Sequence, residues 1–330
     1  MNTSIRQKTA ARRFISTIPE YACIAVMLVI MALASILAPK FFSTLNLMNI
    51  LKQGSVLCVV AIGMGYVLIS GCMDLSVGVN MAICAILAMT MQKHVGVAGA
   101  MGIAIVAGMS LSMINFLVIF ITKARAIEIM MITFGLKMAY RGLAQAISGN
   151  VTYREKTTEF FSALGKGNSF GGVPNIILIM LAVAVVFGIV LSRTRFGRQV
   201  MCIGINPEAS RLSGISVTKT RLKCFLISGL CCGISGILLA SRTRAVNALS
   251  GDNYEMNAMC GLVIGGYAVF GGYGSIWRAV VGVFVYSIIN NVLNLLGVDT
   301  YGQQLAQGLI LVLAVWVDVY LRNKRSGGKA

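Results

Sequence analysis

The strongest constraint on this chain is a series of continuous apolar runs, each around twenty residues long, separated by short polar segments. Coiled into a helix at about 1.5 Å per residue, such a run matches the ~30 Å hydrocarbon core of a bilayer. Of the 330 residues, 57% are hydrophobic and 12% charged, and the mean hydropathy is +0.84, which excludes a water-soluble domain of this length. A membrane β-barrel is excluded too, because its strands alternate apolar and polar residues and these runs do not. The fold expected is all-α, a polytopic integral membrane bundle of about ten transmembrane helices.

The apolar windows fall near residues 21–38, 54–71, 76–92, 96–122, 127–148, 173–192, 223–240, 256–271, 277–297 and 303–321. The run 21–38 follows Arg6, Lys8, Arg12 and Arg13 but lacks a small-x-small cleavage site, so it reads as an uncleaved first span. Segment 256–271 is short and glycine-rich, and a re-entrant hairpin is its alternative reading. An even number of spans puts both termini on one side. With that side cytoplasmic, the inner segments hold more than twice as many Lys and Arg residues as the outer loops, in line with the positive-inside rule. The expected organisation is therefore a cytoplasmic segment 1–20, a membrane domain 21–321 with a cytoplasmic loop 193–222, and a cytoplasmic tail 322–330.

A net charge of +18 does not imply nucleic acid here, because the basic residues are scattered over short loops. Most of the nine cysteines lie in or beside apolar runs without metal-ligand spacing and read as small buried hydrophobes. No Cys–His, Ser–His–Asp or metal constellation is present, and neither is G-x-x-x-x-G-K-[ST], so neither a catalytic nor a metal site is expected and any ATP chemistry belongs to another chain.

Polar residues inside apolar surroundings are the candidates for function. In "SGCMDLSVG", Asp74 interrupts two apolar runs. It reads as the cap of a helix break, accepting from the amides of Ser76 and Val77; as part of a solute path together with Ser76 and Asn80; or as an ion-coupling acid. Asn290, Asn291 and Asn294, with Gln303 and Gln304, supply more amides than helix packing requires, and paired donors and acceptors suit hydroxylated, uncharged solutes. Lys137 and Arg141 sit one turn apart on the 127–148 segment, where their stems could snorkel outward or their charges could belong to the solute path.

The basic segment 193–223 contains "NPEASRLSG", which carries both ends of a short helix: Asn206 as N-cap, Pro207 at the first position, Glu208 in the first turn and Gly214 as terminator. A segment that only set topology would need charge and no caps, so a docking element is expected.

Four ordered motifs, "SGCMDLSVG", "TRFGRQVMCIGINPEASRLSGI", "VIGGYAVFGGYGSI" and "NLLGVDTYGQQLAQGLILVLAVWVD", resemble the permease subunits of ribose-type monosaccharide ABC importers over about residues 40 to 320. The resemblance implies a sugar-translocating subunit of a bacterial plasma membrane that binds no cofactor of its own, while ATP is used by its partner. It implies an ATP-binding cassette ATPase, an extracytoplasmic sugar-binding protein, a second permease copy or related permease, and membrane lipid as partners. It assigns Asn206, Pro207, Glu208, Ala209, Arg211, Gly214 and Ile215 to the element that seats in the ATPase. Ser70, Cys72, Met73 and Glu128 depart from the family pattern and leave the sugar open. An ion-coupled secondary transporter using Asp74, and a non-transporting membrane scaffold or receptor, are the alternative classes.

Overall fold

The computed structural model describes residues 31, 38, 40–124, 126–154, 158–169 and 172–325, with only the backbone for 126, 314 and 317–325. The expected segment 1–20 lies outside the described residues, as do 326–330 of the expected tail 322–330, whose residues 322–325 continue the last helix, and the first span 21–38 apart from Met31 and Ala38. In chain order the elements begin with α1 (Thr44–Ile69), α2 (Val77–Thr90), α3 (Gln92–Thr122) and α4 (Ala126–Ser148). A short helix α5 (Glu159–Lys166) and a two-residue antiparallel pair, β1 (Asn168–Ser169) with β2 (Val173–Pro174), lead into α6 (Asn175–Arg193). Then come α7 (Arg195–Ile205), α8 (Pro207–Leu212), α9 (Val217–Thr243), α10 (Tyr254–Ile264), α11 (Ile276–Leu295) and α12 (Thr300–Arg325).

Among the described residues, α1, α3, α6, α9 and α11 are long and apolar enough to cross a membrane. The two central helices are α1 and α9: α9 packs on α1, α2 and α3, while α1 also holds α6, α10 and α11. Residues of both, among them Cys58, Ile62, Tyr66, Phe225, Cys231 and Cys232, are buried in one apolar core. All the described cysteines are free thiols, and all but Cys202 are buried. Phe120, Ile121, Met131, Val186 and Leu309, on the outer helices, are instead exposed as lipid-facing side chains would be.

The sequence boundaries need three corrections. The 54–71 segment starts as helix at Thr44, capped by Ser43, whose hydroxyl accepts from the Asn46 amide at 3.3 Å. The polar residues Asn46, Asn49, Lys52 and Gln53 had lowered its hydropathy without breaking the helix. Similarly, the 223–240 segment begins at Val217, where Ser216 accepts from the Lys219 amide at 3.4 Å. The third correction is the 256–271 segment, which is helical only as far as Ile264; glycines at positive φ, Gly266, Gly271 and Gly272, then turn the chain before α11.

Two helices start inside the bundle. At 14 and 11 residues, α2 and α10 span about 21 and 16 Å, less than a hydrocarbon core. Their beginnings meet. A Cβ at Gly251, just before α10, would lie 1.9 Å from the Gly78 carbonyl, and one at Gly78 would lie 2.4 Å from the Gly251 carbonyl. The segment 241–255, expected as a loop, is therefore partly packed inside the protein.

This contact predicts that Gly251→Ala forces the two backbones apart and costs more than ~2 kcal/mol, within the range for overpacked sites. Gly102→Ala, in α3 with nothing within 4 Å of the added carbon, should instead be neutral or stabilise by up to ~1 kcal/mol. Thermal unfolding of both variants in mild detergent checks the contrast.

Candidate functional site

The amide-rich end of α11 lines a cavity of about 340 Å³ enclosed by α1, the end of α9, the start of α10 and α11. Asn46, Asn49 and Gln53 enter from α1, Arg242 from α9, Tyr254 and Asn257 from α10, and Tyr286, Ser287, Asn290, Asn291 and Asn294 from α11. The spacing on α1 is i, i+3, i+7, so these polar residues share one helix face. At the rim, Asn46 and Asn291 form a reciprocal amide pair: Asn46 Nδ2 donates to Asn291 Oδ1 at 2.9 Å, and Asn291 Nδ2 donates to Asn46 Oδ1 at 2.8 Å. Deeper in, the Tyr286 hydroxyl donates to Asn257 Oδ1 at 2.5 Å. Arg242 lies beside the Tyr254 hydroxyl, with its buried Nε unpartnered. Among the described residues, the wall holds donors, acceptors and one cation, and no carboxylate.

The sequence-derived path residues divide on this geometry. Asn290, Asn291 and Asn294 border the cavity, while Gln303 and Gln304 do not. Gln303 Nε2 instead donates to the Val298 carbonyl at 2.8 Å, holding the turn before α12, and Gln304 is exposed. Asp74, Ser76 and Asn80 are fully buried away from the cavity.

Asp74 sits in a closed polar network at the start of α2. One carboxylate oxygen accepts from the Ser76 amide at 2.9 Å and its hydroxyl at 2.7 Å, and the other from Asn115 Nδ2 at 3.1 Å. The Tyr140 hydroxyl donates to Asn115 Oδ1 at 2.8 Å. Asn80 Nδ2 donates to the Gly108 carbonyl and to Ser112 Oγ, each at 3.1 Å. Thr133 Oγ1 accepts from the Leu75 amide at 3.3 Å. The cap on the Ser76 amide was legible in the sequence; the partners on α3 and α4 were not, because they lie 25 to 60 positions away.

The stems of Lys137 and Arg141 do not snorkel. Lys137 pairs with the buried Glu255 and Arg141 with Asp252, so α4 grips the chain on both sides of the α10 start. Thr133, Lys137, Tyr140 and Arg141 recur at i, i+4, i+7 and i+8 and make one polar face that reaches both helix breaks. Two acids in a segment read as a loop, opposite two basic residues in an apolar run, were the available signal.

At the other end of α1, roughly 25 Å along the helix from Gln53, lie α7 and α8. Asn206 caps α8, its Oδ1 accepting from the Ala209 amide at 3.0 Å, and Pro207 follows at the first position. The helix closes with Gly214 at φ 81°, whose amide donates to the Arg211 carbonyl, while that of Ile215 donates to Ser210, both at 3.0 Å. Glu208 and Arg211 form an exposed pair at 2.9 Å, flanked by Leu212 and Ile205, which are 85% and 74% exposed. The base is rigidly seated: a Cβ at Gly204 would lie 1.9 Å from the Ile69 carbonyl, which also accepts from the Gly272 amide at 2.8 Å.

A membrane-embedded bundle with a polar solute-sized cavity and an exposed capped helix at the opposite end is a transport permease. Residues 46–315 match the family described as branched-chain amino acid transport system / permease component, and the chain belongs to that family. Among its relatives, the ribose import permease protein RbsC of Escherichia coli (strain K12) is 31% identical over 318 residues, covering 94% of this chain and 98% of the relative. The L-arabinose transport system permease protein AraH of the same strain is 33% identical, covering 93% and 92%. The RbsC of Haemophilus influenzae is 30% identical, covering 91% and 93%. No solved structure matches the chain.

The buried network predicts that Asp74→Ala, which strips acceptors from Ser76 and Asn115, lowers stability by about 3 kcal/mol. Asp74→Asn keeps one acceptor oxygen and should lose about half as much. Detergent unfolding curves of the two variants measure the difference.

Proposed function

We propose that this chain is the permease subunit of an ATP-driven importer of an uncharged monosaccharide. The observation that carries this reading is the cavity wall of amides, hydroxyls and one guanidinium without a carboxylate. A branched-chain amino acid would need an anionic or carbonyl-rich anchor for its ammonium group and an apolar slot for its side chain. Here the aliphatic lining among the described residues is Ile50, Leu57 and Leu295. A sugar presents hydroxyls that both donate and accept, which side-chain amides match on each face, and the guanidinium fork of Arg242 suits a pair of adjacent hydroxyls. The volume falls in the ~300–1,000 Å³ range of small-molecule sites. Two of the relatives, named for ribose and L-arabinose, carry sugars of this kind.

The proposed arrangement has about ten spans, residues 1–20 and 322–330 in the cytoplasm, and the cavity open to the outer side, where an extracytoplasmic sugar-binding protein delivers its cargo. The loop 193–222 faces the ATPase. In it, Asn206, Pro207 and Gly214 shape α8, Glu208 and Arg211 offer charge, and Ala209 and Ile215 complete the contact surface. ATP is bound and hydrolysed by that partner. Movement of α8 reaches α1 through the contact of Gly204 with Ile69, and α1 carries it to Asn46, Asn49 and Gln53. A second permease copy or a related permease completes the path.

Uptake of radiolabelled D-ribose, L-arabinose and L-leucine by vesicles holding the complete transporter tests the substrate class. Sugar uptake without leucine uptake is expected, and Asn290→Leu combined with Asn294→Leu should lower it about tenfold or more, the loss of ~1.4 kcal/mol or more of hydrogen bonding. Leucine uptake would reverse the assignment. Separately, Arg211→Glu should release the ATPase subunit during co-purification while the permease remains in the membrane.

A further inference from the structure

The structure assigns Lys137 and Glu255 a further role: their ion pair positions Tyr254 and Asn257 in the cavity wall. This inference rests on the cavity being the sugar path. Glu255 occupies the first turn of α10 and is fully buried, while Asn253, the N-cap, has φ 64° and makes no side-chain cap bond. The start of α10 is thus held from outside the helix. One carboxylate oxygen of Glu255 takes the Lys137 ammonium. The other has no hydrogen-bond partner and lies over Gly78, where a Cβ would be 2.2 Å away. The carboxylate is therefore wedged between α4 and the first turn of α2, in a space that exists because residue 78 has no side chain.

Tyr254 and Asn257, at i and i+3, share the neighbouring face of the same turn and point into the cavity. There Asn257 accepts from Tyr286 and Tyr254 lies beside Arg242. One turn of helix thus has an ion pair on its outer side and two wall residues on its inner side. Arg141 with Asp252 holds the preceding residues in the same manner. A buried ion pair seldom adds stability over an apolar pair of similar size, yet it fixes geometry, and removing one partner leaves an unpaired buried charge. Lys137 is not part of the cavity lining, and its partner is Glu255, so its effect on the wall passes through that carboxylate.

The test uses the full-length permease in right-side-out vesicles, labelled by a membrane-impermeant maleimide at Asn257→Cys or, as the reference on α11, Asn294→Cys, with the unsubstituted chain as background. Adding Lys137→Met should change the labelling rate at position 257 about tenfold and leave that at 294 within about twofold; a tenfold change corresponds to ~1.4 kcal/mol. Lys137→Arg, which keeps the cation, should leave the rate at 257 at its starting value. If Lys137→Met does not accumulate, the double variant Lys137→Met/Glu255→Gln removes both charges and should give the same selective change. An unchanged rate at 257, or an equal change at both positions, overturns the positioning role. Absence of labelling at both positions in the otherwise native chain overturns the cavity reading itself, and with it this inference.

Discussion

Much of this structure depends on how two interrupted helices are satisfied inside a bundle that has no water to offer. The start of a helix leaves amides without partners, and in an apolar interior each would cost several kcal/mol. Both α2 and α10 begin in the middle of the protein, next to one another, with Gly78 and Gly251 in backbone contact. Close glycine contact brings the two ends together but cannot satisfy them. At the first break that task falls to Asp74, which accepts from the Ser76 amide, and to Thr133, which accepts from that of Leu75, and both breaks are anchored by the polar face of α4. Its Thr133 and Tyr140 reach the first break, and its Lys137 and Arg141 reach the second.

The breaks give the protein places where chain direction and polarity change within the membrane. The first is closed, with Asp74 fully buried and hydrogen-bonded to Ser76 and Asn115. The second is open: just beyond it, α10 faces Arg242 and the asparagines of α11 across the cavity. An ion-coupled mechanism at Asp74 would need access to a buried carboxylate already occupied by Ser76 and Asn115. The single helix α1 joins the cavity to the α7–α8 end, with amides at its start and, at its end, a carbonyl locked against Gly204 and Gly272.

Legibility of these features in the sequence followed the range of the interactions behind them. The α8 helix was readable because its N-cap, proline and terminal glycine lie within nine consecutive residues, and the structure forms both caps. Asn290, Asn291 and Asn294 stood out as amides in an apolar run. Asn46, Asn49 and Gln53 did not, because the same polarity that makes them useful to the cavity made the first turns of α1 resemble a loop. Gln303 and Gln304 satisfied the same compositional criterion as the cavity asparagines but fall elsewhere. Arg242, Tyr254 and Asn257 flank or occupy a segment that hydropathy treats as a connection or a weak span.

The sequence by itself determined that this is a membrane bundle, where most of its apolar helices run and which short element is capped at both ends. Those properties follow from hydropathy and from hydrogen bonds between residues three to five positions apart. Only the tertiary structure decided that Lys137 meets Glu255 across 118 positions and Asn46 meets Asn291 across 245. Such pairings depend on how α1, α4, α10 and α11 pack. A lysine that snorkels and one that pairs with a buried acid are the same letter in the same apolar run, and the difference lies in which helix stands opposite.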